Sequence, residues 1–410
     1  MSESTRHGSH GHGHGPAPRA SRRVRLLLAA ALLPVLLATV LGLVALWPTG
    51  EPVLGTVPVT VGATQIMQAE VTALLPEGVG DGVGGVTARL EQTGKSVKVQ
   101  VTPEYLASGL GSGDRIKVVY IPEAESMTIG TPYIFMDYVR SVPIAVLGVF
   151  FAALVVAVAR WRGLAALVGL GVALTGIVTF TLPALLAGSN ALAVGLVTAS
   201  AVMFVVLYLA HGFSARTTTA LLGTVVGLAA TGALGYWASD AAHLTGLSDE
   251  VALQLPAYAP ELSLRGVVLC GLILAGLGVL NDVTITQSSA VWELRAADPA
   301  ASRPALFARA MRIGRDHIAS TVYTIAFAYV GAALPLLLMV ALLQNSFIDT
   351  LTSGEIAEEV VRTLVGSIGL VLAIPITTAV AVLVACADQV TPPRSPAAVA
   401  PVGVPVAPRV

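Results

Sequence analysis

Long apolar segments with almost no charge inside them recur along this chain, and each must be buried in something other than water. The first, Leu26–Trp47, contains no charged residue and follows Arg19, Arg22, Arg23 and Arg25. Seven more come after residue 140: Val142–Ala159, Leu164–Leu186, Ala191–Leu209, Thr217–Ala238, Gly266–Leu280, Ile318–Leu343 and Thr363–Ala385. A helix needs about 20 apolar residues to cross a hydrocarbon core of roughly 30 Å, and most of these runs meet that length. Charged residues make up only 11% of the 410 residues, against about 25% in soluble domains. The expected fold class is therefore a mainly α membrane protein with about eight transmembrane helices.

The first run exceeds the 7–15 apolar residues of a secretory signal and no A-x-A cleavage site follows it, so it reads as an uncleaved anchor over 24–47. Residues 1–23 and 388–410 read as disordered cytoplasmic tails. Between the first two runs, residues 51–140 change character. All three lysines (Lys95, Lys98, Lys117) lie there, and Val57–Val61, Ser96–Val101 and Arg115–Ile121 alternate in period two. Alternation of this kind marks half-buried strands, and GSGD at Gly111–Asp114 supplies a turn before the last. A small β-rich extracytoplasmic domain is expected at 51–140, and a seven-helix bundle over 141–387.

With the N-terminus inside, eight crossings place both termini in the cytoplasm. The inner segments then hold 15 arginines, no lysine and six acids, and the outer segments hold eight basic residues and 18 acids. Such a bias is what the positive-inside tendency produces, and the bacterial plasma membrane is the expected location. Gly223 and Gly227, and Gly169, Gly171 and Gly176, are expected to let helix backbones approach closely. Pro375 interrupts a span, and Thr377 and Thr378 are placed to bond carbonyls it frees. Cys270 and Cys386 lie inside apolar runs and read as small buried hydrophobes.

One span stands apart. Gly266–Leu280 covers only about 22 Å as a helix, so it must borrow neighbours from Arg265 to about Thr284, which carries Asn281 and Asp282 to the inner membrane face. A carboxylate there costs roughly 3 kcal/mol or less unless it is paired, protonated or wet. Continued as helix, Asp282, Thr286, Ser289 and Glu293 fall at i, i+4, i+7 and i+11 and form one polar stripe flanked by Gln287 and Ser288. Asp316 and His317 open the next span at similar depth, with Asp316 favourably placed near a helix start. The plain alternative is that these acids pair with Arg295, Arg303, Arg309, Arg312 and Arg315 of an inner loop. At the other extreme of the chain, His7, His10, His12 and His14 form a flexible tract able to bind a metal weakly, against the simpler reading of a bland tail.

The segment GLGVLNDVTITQSSAVWEL (Gly276–Leu294) resembles the signature of the YibE/F-like family of bacterial membrane proteins. Similar stretches are YIFMDYVR (Tyr133–Arg140), RWRGLAALVGL (Arg160–Leu170), GRDHIASTVYTIAFAYVGAALPLLL (Gly314–Leu338) and GSIGLVLAIPITTAVA (Gly366–Ala381), so the likeness runs from roughly Glu51 to Ala385. The resemblance implies an anchor, a small extracytoplasmic domain and a permease-like bundle. It matches Asp282, Ser289 and Glu293 to the family's central motif, with Asn281 where the family often has Met.

The expected function is a permease or transport component for a small solute or ion, acting in the lipid bilayer without a cofactor. A non-transporting scaffold or envelope sensor using the 51–140 domain is the alternative. Residues 295–315 are a candidate contact for a cytoplasmic partner, and the chain is a candidate homo-oligomer. An enzyme is not expected, since no HExxH or spanning GxSxG motif occurs. Nucleic acid is not expected either, for want of a basic patch with interleaved aromatics.

Overall fold

The computed structural model describes residues 21–50, 54–58, 63–79, 83–122, 131–248, 250–342 and 346–387. These divide into two compact units, one drawn from 1–50 and 165–410 and the other from 51–164. The histidine tract at His7–His14, the C-terminal tail and most of Val57–Val61 lie outside the described residues.

In the smaller unit five strands close into a barrel: β1 (Gln65–Val79), β2 (Val83–Leu90), β3 (Ser96–Gln100), β4 (Arg115–Tyr120) and β5 (Tyr133–Tyr138), in the order β1-β2-β3-β5-β4. All pairings are antiparallel except β3 with β5. Alternate residues point inward, so Ala69 and Val71, Val86 and Ala88, Val99 and Val101, and Ile116 and Val118 are buried together with Leu90 and Phe135. The short helix α2 (Pro103–Ala107) lays Leu106 over Gly84, where any β-carbon would overlap the leucine. The expected turn is present: Gly111 N–H donates to Asp114 Oδ2 at 2.8 Å and Gly113 takes a positive φ of 95°.

The other elements are helical. The first is α1 (Arg22–Ala45), which starts inside the expected tail because Ser21 caps it. The helix α3 (Ser141–Gly176) runs into a π-helical turn (Ile177–Thr181) and then α4 (Leu182–Leu186), 46 residues in all. Arg160, at φ 53° and ψ −132°, breaks that run. Next come α5 (Ala191–His211), α6 (Ala215–Ala241), α7 (Glu250–Tyr258) and α8 (Leu264–Ala297), then α9 (Arg303–Ala332), α10 (Leu334–Leu342), α11 (Phe347–Leu351) and α12 (Gly354–Ala387). Short polar side chains set the starts: Asn190, Ser214, Ser263 and Ser302 each accept a backbone N–H two or three residues into α5, α6, α8 and α9. These side chains satisfy donors that the helix itself cannot.

Among the described residues, six helices are singly long and apolar enough to cross a bilayer, or seven if α9 and α10 are one span bent by 66°. The expected straight span Ile318–Leu343 is thus broken, at the Ala333–Pro335 junction, where proline cannot continue the hydrogen-bond ladder. The inner loop 295–315 is also mostly helix. Only residues 298–302 separate α8 from α9, so Asp316 stands in the middle of α9 rather than at a helix start.

At the centre α6, α8 and α12 each pack on the other two, with α5 against α6 and α8, α9 against α8 and α12, and α1 against α5. Small residues make these crossings. A β-carbon at Gly223 would overlap the Thr377 hydroxyl of α12, and one at Gly227 would come within 2.6 Å of Leu280 of α8. Gly171 and Gly176 have open space around them, so close packing does not explain them. Thr378 donates to the Ile374 carbonyl at 2.7 Å and Thr377 Oγ1 has no partner among the described residues. Neither hydroxyl therefore takes up the Val371 carbonyl that Pro375 leaves free, because both turn toward the packed face of α12. Cys270 is buried against Phe180 and Val194, and both cysteines are free.

Candidate functional site

The polar motif lies on α8, which runs unbroken from Leu264 through it to Ala297. From Leu264 to Asp282 the helix rises about 27 Å, close to the thickness of a hydrocarbon core. The short apolar run is therefore the apolar half of a long helix, and the motif occupies its other half.

Two faces of α8 diverge at this depth. Val283, Thr284, Gln287, Ser288 and Val291 are buried. Thr284 and Thr224 of α6 share a hydroxyl hydrogen bond at 2.7 Å, and Ser288 Oγ donates to the Arg216 carbonyl at 2.8 Å. Gln287 Nε2 donates to the Ala310 carbonyl of α9 at 2.8 Å, in space left by Gly314, whose β-carbon would sit 3.2 Å from the amide. Each bond joins α8 to a neighbouring helix. Gln287 is thus a tie to α9 and not a flank of the exposed stripe.

The expected stripe is the less covered face. Thr286 and Ser289 are half-buried and Glu293 is exposed, and none of the three side chains has a hydrogen bond or ion pair among the described residues. Asp282 has 65% of its side chain uncovered, and its Oδ2 lies 3.5 Å from Nε2 of His317 on α9. His317 Nε2 is buried and makes no hydrogen bond besides this longer contact, and Asn281 Oδ1, on the residue before Asp282, is buried without a hydrogen-bond partner among the described residues. Asp316 is exposed and unpaired among the described residues, so of the expected set the structure joins only Asp282 and His317 directly.

The pairing of these acids with nearby arginines does not occur. Arg309 pairs with Asp298 at 2.9 Å, and Arg295 donates to the Ala301 carbonyl at 2.9 Å. Arg303, Arg312 and Arg315 are exposed on α9, whose opposite face buries Leu306, Ala310 and Gly314 against its neighbours. Among the described residues, no three His, Cys, Asp or Glu side chains converge to hold a metal.

Sequence reasoning passed over Thr224, and it named Thr284 and Ser288 only as the end of the span and a flank of the stripe, not as ties between helices. Their signal is the i, i+3, i+4 and i+7 spacing of Thr284, Gln287, Ser288 and Val291, as regular as that of the chosen stripe. On a helix polar on two adjacent faces, spacing alone cannot say which face is covered.

Long apolar helices, glycines at the crossings and hydroxyl ties between helices define a polytopic membrane protein. Residues 147–387 match the family described as YibE/F-like protein. That is more than half of the chain, which therefore belongs to this family. The match starts after the barrel, so YIFMDYVR and the rest of the 51–140 domain fall outside the matched residues. Among curated proteins and among solved structures, none matches the chain.

Proposed function

We propose that this protein is a permease or transport component for a small solute or ion in the bacterial plasma membrane. It makes eight crossings, with both termini cytoplasmic and the barrel outside. Eight follows from dividing Ser141–Leu186 at Arg160 and counting α9 with α10 as one bent span. The undivided 46 residues would reach about 69 Å, more than twice a hydrocarbon core.

The observation that carries the reading is the group at the α8–α9 junction. His317 Nε2, buried and without a hydrogen bond, faces the largely uncovered carboxylate of Asp282 at 3.5 Å across that junction, and Asn281 Oδ1, on the residue before Asp282, is buried without a hydrogen-bond partner among the described residues. Leaving a buried polar atom unpaired costs about 1–3 kcal/mol, and ionisable groups at membrane depth face a pathway by default. A solute or cation entering between α8 and α9 meets the imidazole nitrogen of His317 and the carboxylate of Asp282. Proton exchange between Asp282 and His317 then couples to its passage. No enzymatic step and no cofactor are assigned. Exposed Arg303, Arg312 and Arg315 are the proposed contact for a cytoplasmic partner.

To test this, Asp282→Asn and His317→Gln are assayed for uptake and export across a panel of solutes and cations in membrane vesicles. At least a ten-fold loss of one flux is expected at unchanged protein level, of the order that loss of a charged partner gives. Wild-type flux in both variants removes the reading.

The second reading, a non-transporting envelope sensor, is favoured by the barrel being a separate compact unit with its own core. Removing residues 51–140 abolishes the response of a sensor and leaves the flux of a permease.

A further inference from the structure

Between α1 and the hairpin of α5 and α6 runs a groove of about 650 Å³, separate from the α8–α9 junction. Val24, Leu28 and Leu32 of α1, spaced by four, are buried. The adjacent face, Arg25, Ala29, Leu33 and Leu36, is left uncovered and forms one wall. From Arg25 to Leu36 that wall extends about 16 Å and is apolar except at its Arg25 end. The opposite wall is apolar at Phe204 and becomes polar at the same end as Arg25, with Ser214, Thr218 and the Tyr208 hydroxyl. There Tyr208 and Thr218 share a hydrogen bond at 3.1 Å, and Phe213, 88% exposed, stacks on Tyr208 with centroids 4.5 Å apart.

We propose that this groove binds one anionic phospholipid, with an acyl chain along Ala29, Leu33 and Leu36 and the phosphate on Arg25. The occupant follows from charge and shape. Arg25 is exposed, has no ion pair among the described residues and stands one turn from Arg22 and Arg23. Among the described residues, no Asp or Glu lines the groove. A guanidinium matches phosphate oxygens with paired N–H donors. A zwitterionic headgroup brings an ammonium that finds no carboxylate there, so a headgroup with net negative charge is selected. Exposed aromatic rings beside the basic end suit the headgroup level of a bilayer. At the same end the hydrogen-bonded Tyr208–Thr218 pair has one hydroxyl proton not used between them, which can be donated to the phosphate.

The test uses the full-length protein, delipidated in detergent, mixed with phosphatidylglycerol or phosphatidylcholine and examined by native mass spectrometry. Wild type is expected to retain one phosphatidylglycerol in preference to phosphatidylcholine by about five-fold, the effect of one basic residue near an anionic lipid. Arg25→Gln removes that preference, and Ala29→Phe, which fills the groove, lowers retention of both lipids. Arg89→Gln, an exposed arginine of β2, leaves retention unchanged. Equal melting temperatures show that the variants remain folded. The proposal is overturned if wild type retains the two lipids equally, or if Arg25→Gln keeps the wild-type preference. It is also overturned if Arg25→Gln and Ala29→Phe reduce the oligomer mass while the lipid count stays constant, because a second copy then covers the groove.

Discussion

The barrel and the helical bundle bury their cores by different rules. In the barrel, Val71, Val86, Val99, Ile116 and Val118 fill the interior, and Thr131 is its one buried polar residue among those described. In the bundle the buried residues include Thr217, Thr219, Thr224 and Thr231 of α6, Thr284, Gln287 and Ser288 of α8, and Thr377 and Thr378 of α12. The buried side-chain atoms without partners, such as Thr231 Oγ1 and Thr377 Oγ1, all belong to the helices. Water sorts side chains by polarity, so a domain folded in it gathers its apolar residues inside. Lipid does not drive helices together by that means, and association rests on close packing and interhelical bonds. Hydroxyl-bearing residues are therefore part of the packing material of one region and nearly absent from the described core of the other.

The largest expected effect is in the barrel. Ile116 is fully buried, and Ile116→Ala removes enough of the core to cost about 4 kcal/mol. Hydrogen exchange should show lost protection over residues 65–138 with α6, α8 and α12 unaffected. Loss spread evenly through both regions would break the contrast.

A smaller effect is expected at a helix crossing, where space rather than burial is limiting. Gly223→Leu drives a side chain into Thr377 of α12 and should cost about 3 kcal/mol through overpacking. A lowered melting temperature of the detergent-solubilised protein, with the barrel's exchange pattern retained, checks it. Gly171→Leu, where nothing stands within 4 Å, serves as the neutral control.

The smallest effect is electrostatic and confined to the barrel's exit strand. Asp137 accepts from Arg140 at 2.7 Å. That hydrogen bond, with the Tyr138 backbone N–H, holds its carboxyl below the usual 3.8. Because the folded value is depressed, the pair's contribution is complete above the unfolded value and disappears as pH falls through the folded one. Barrel stability measured from pH 6 downward should lose this small increment below about 4, and Asp137→Asn should flatten that part of the curve. An unchanged curve in the variant removes the pair from the account.

How much of this was readable in the residues varies by element. Strands β3 and β4 were visible in SVKVQV and RIKVVYI because one face meets a core and the other does not. The long β1 was not read as a strand, since QIMQAEVTALLPEGV loses its alternation where Val71 and Ala73 straddle a register shift. Spans were visible from apolar length alone, as was the interruption at Arg160 between Val142–Ala159 and Leu164–Leu186, but the 66° bend between α9 and α10 depends on backbone geometry. Which polar face of α8 is covered was not legible for a related reason. Asp282, Thr286, Ser289 and Glu293 form as regular a stripe as Thr284, Gln287, Ser288 and Val291.

The sequence alone determined that this chain lives in lipid, where its helices run and that a small β-domain interrupts them. Those facts depend on local composition and period, which neighbouring residues carry among themselves. Only the tertiary structure decided that Gln287 and Ser288 are ties, that Asp282 meets His317, and that Arg25 stands at the mouth of a groove. Each of these depends on which helix lies alongside, and in a bundle held by shape and a few hydrogen bonds that choice is made by distant residues.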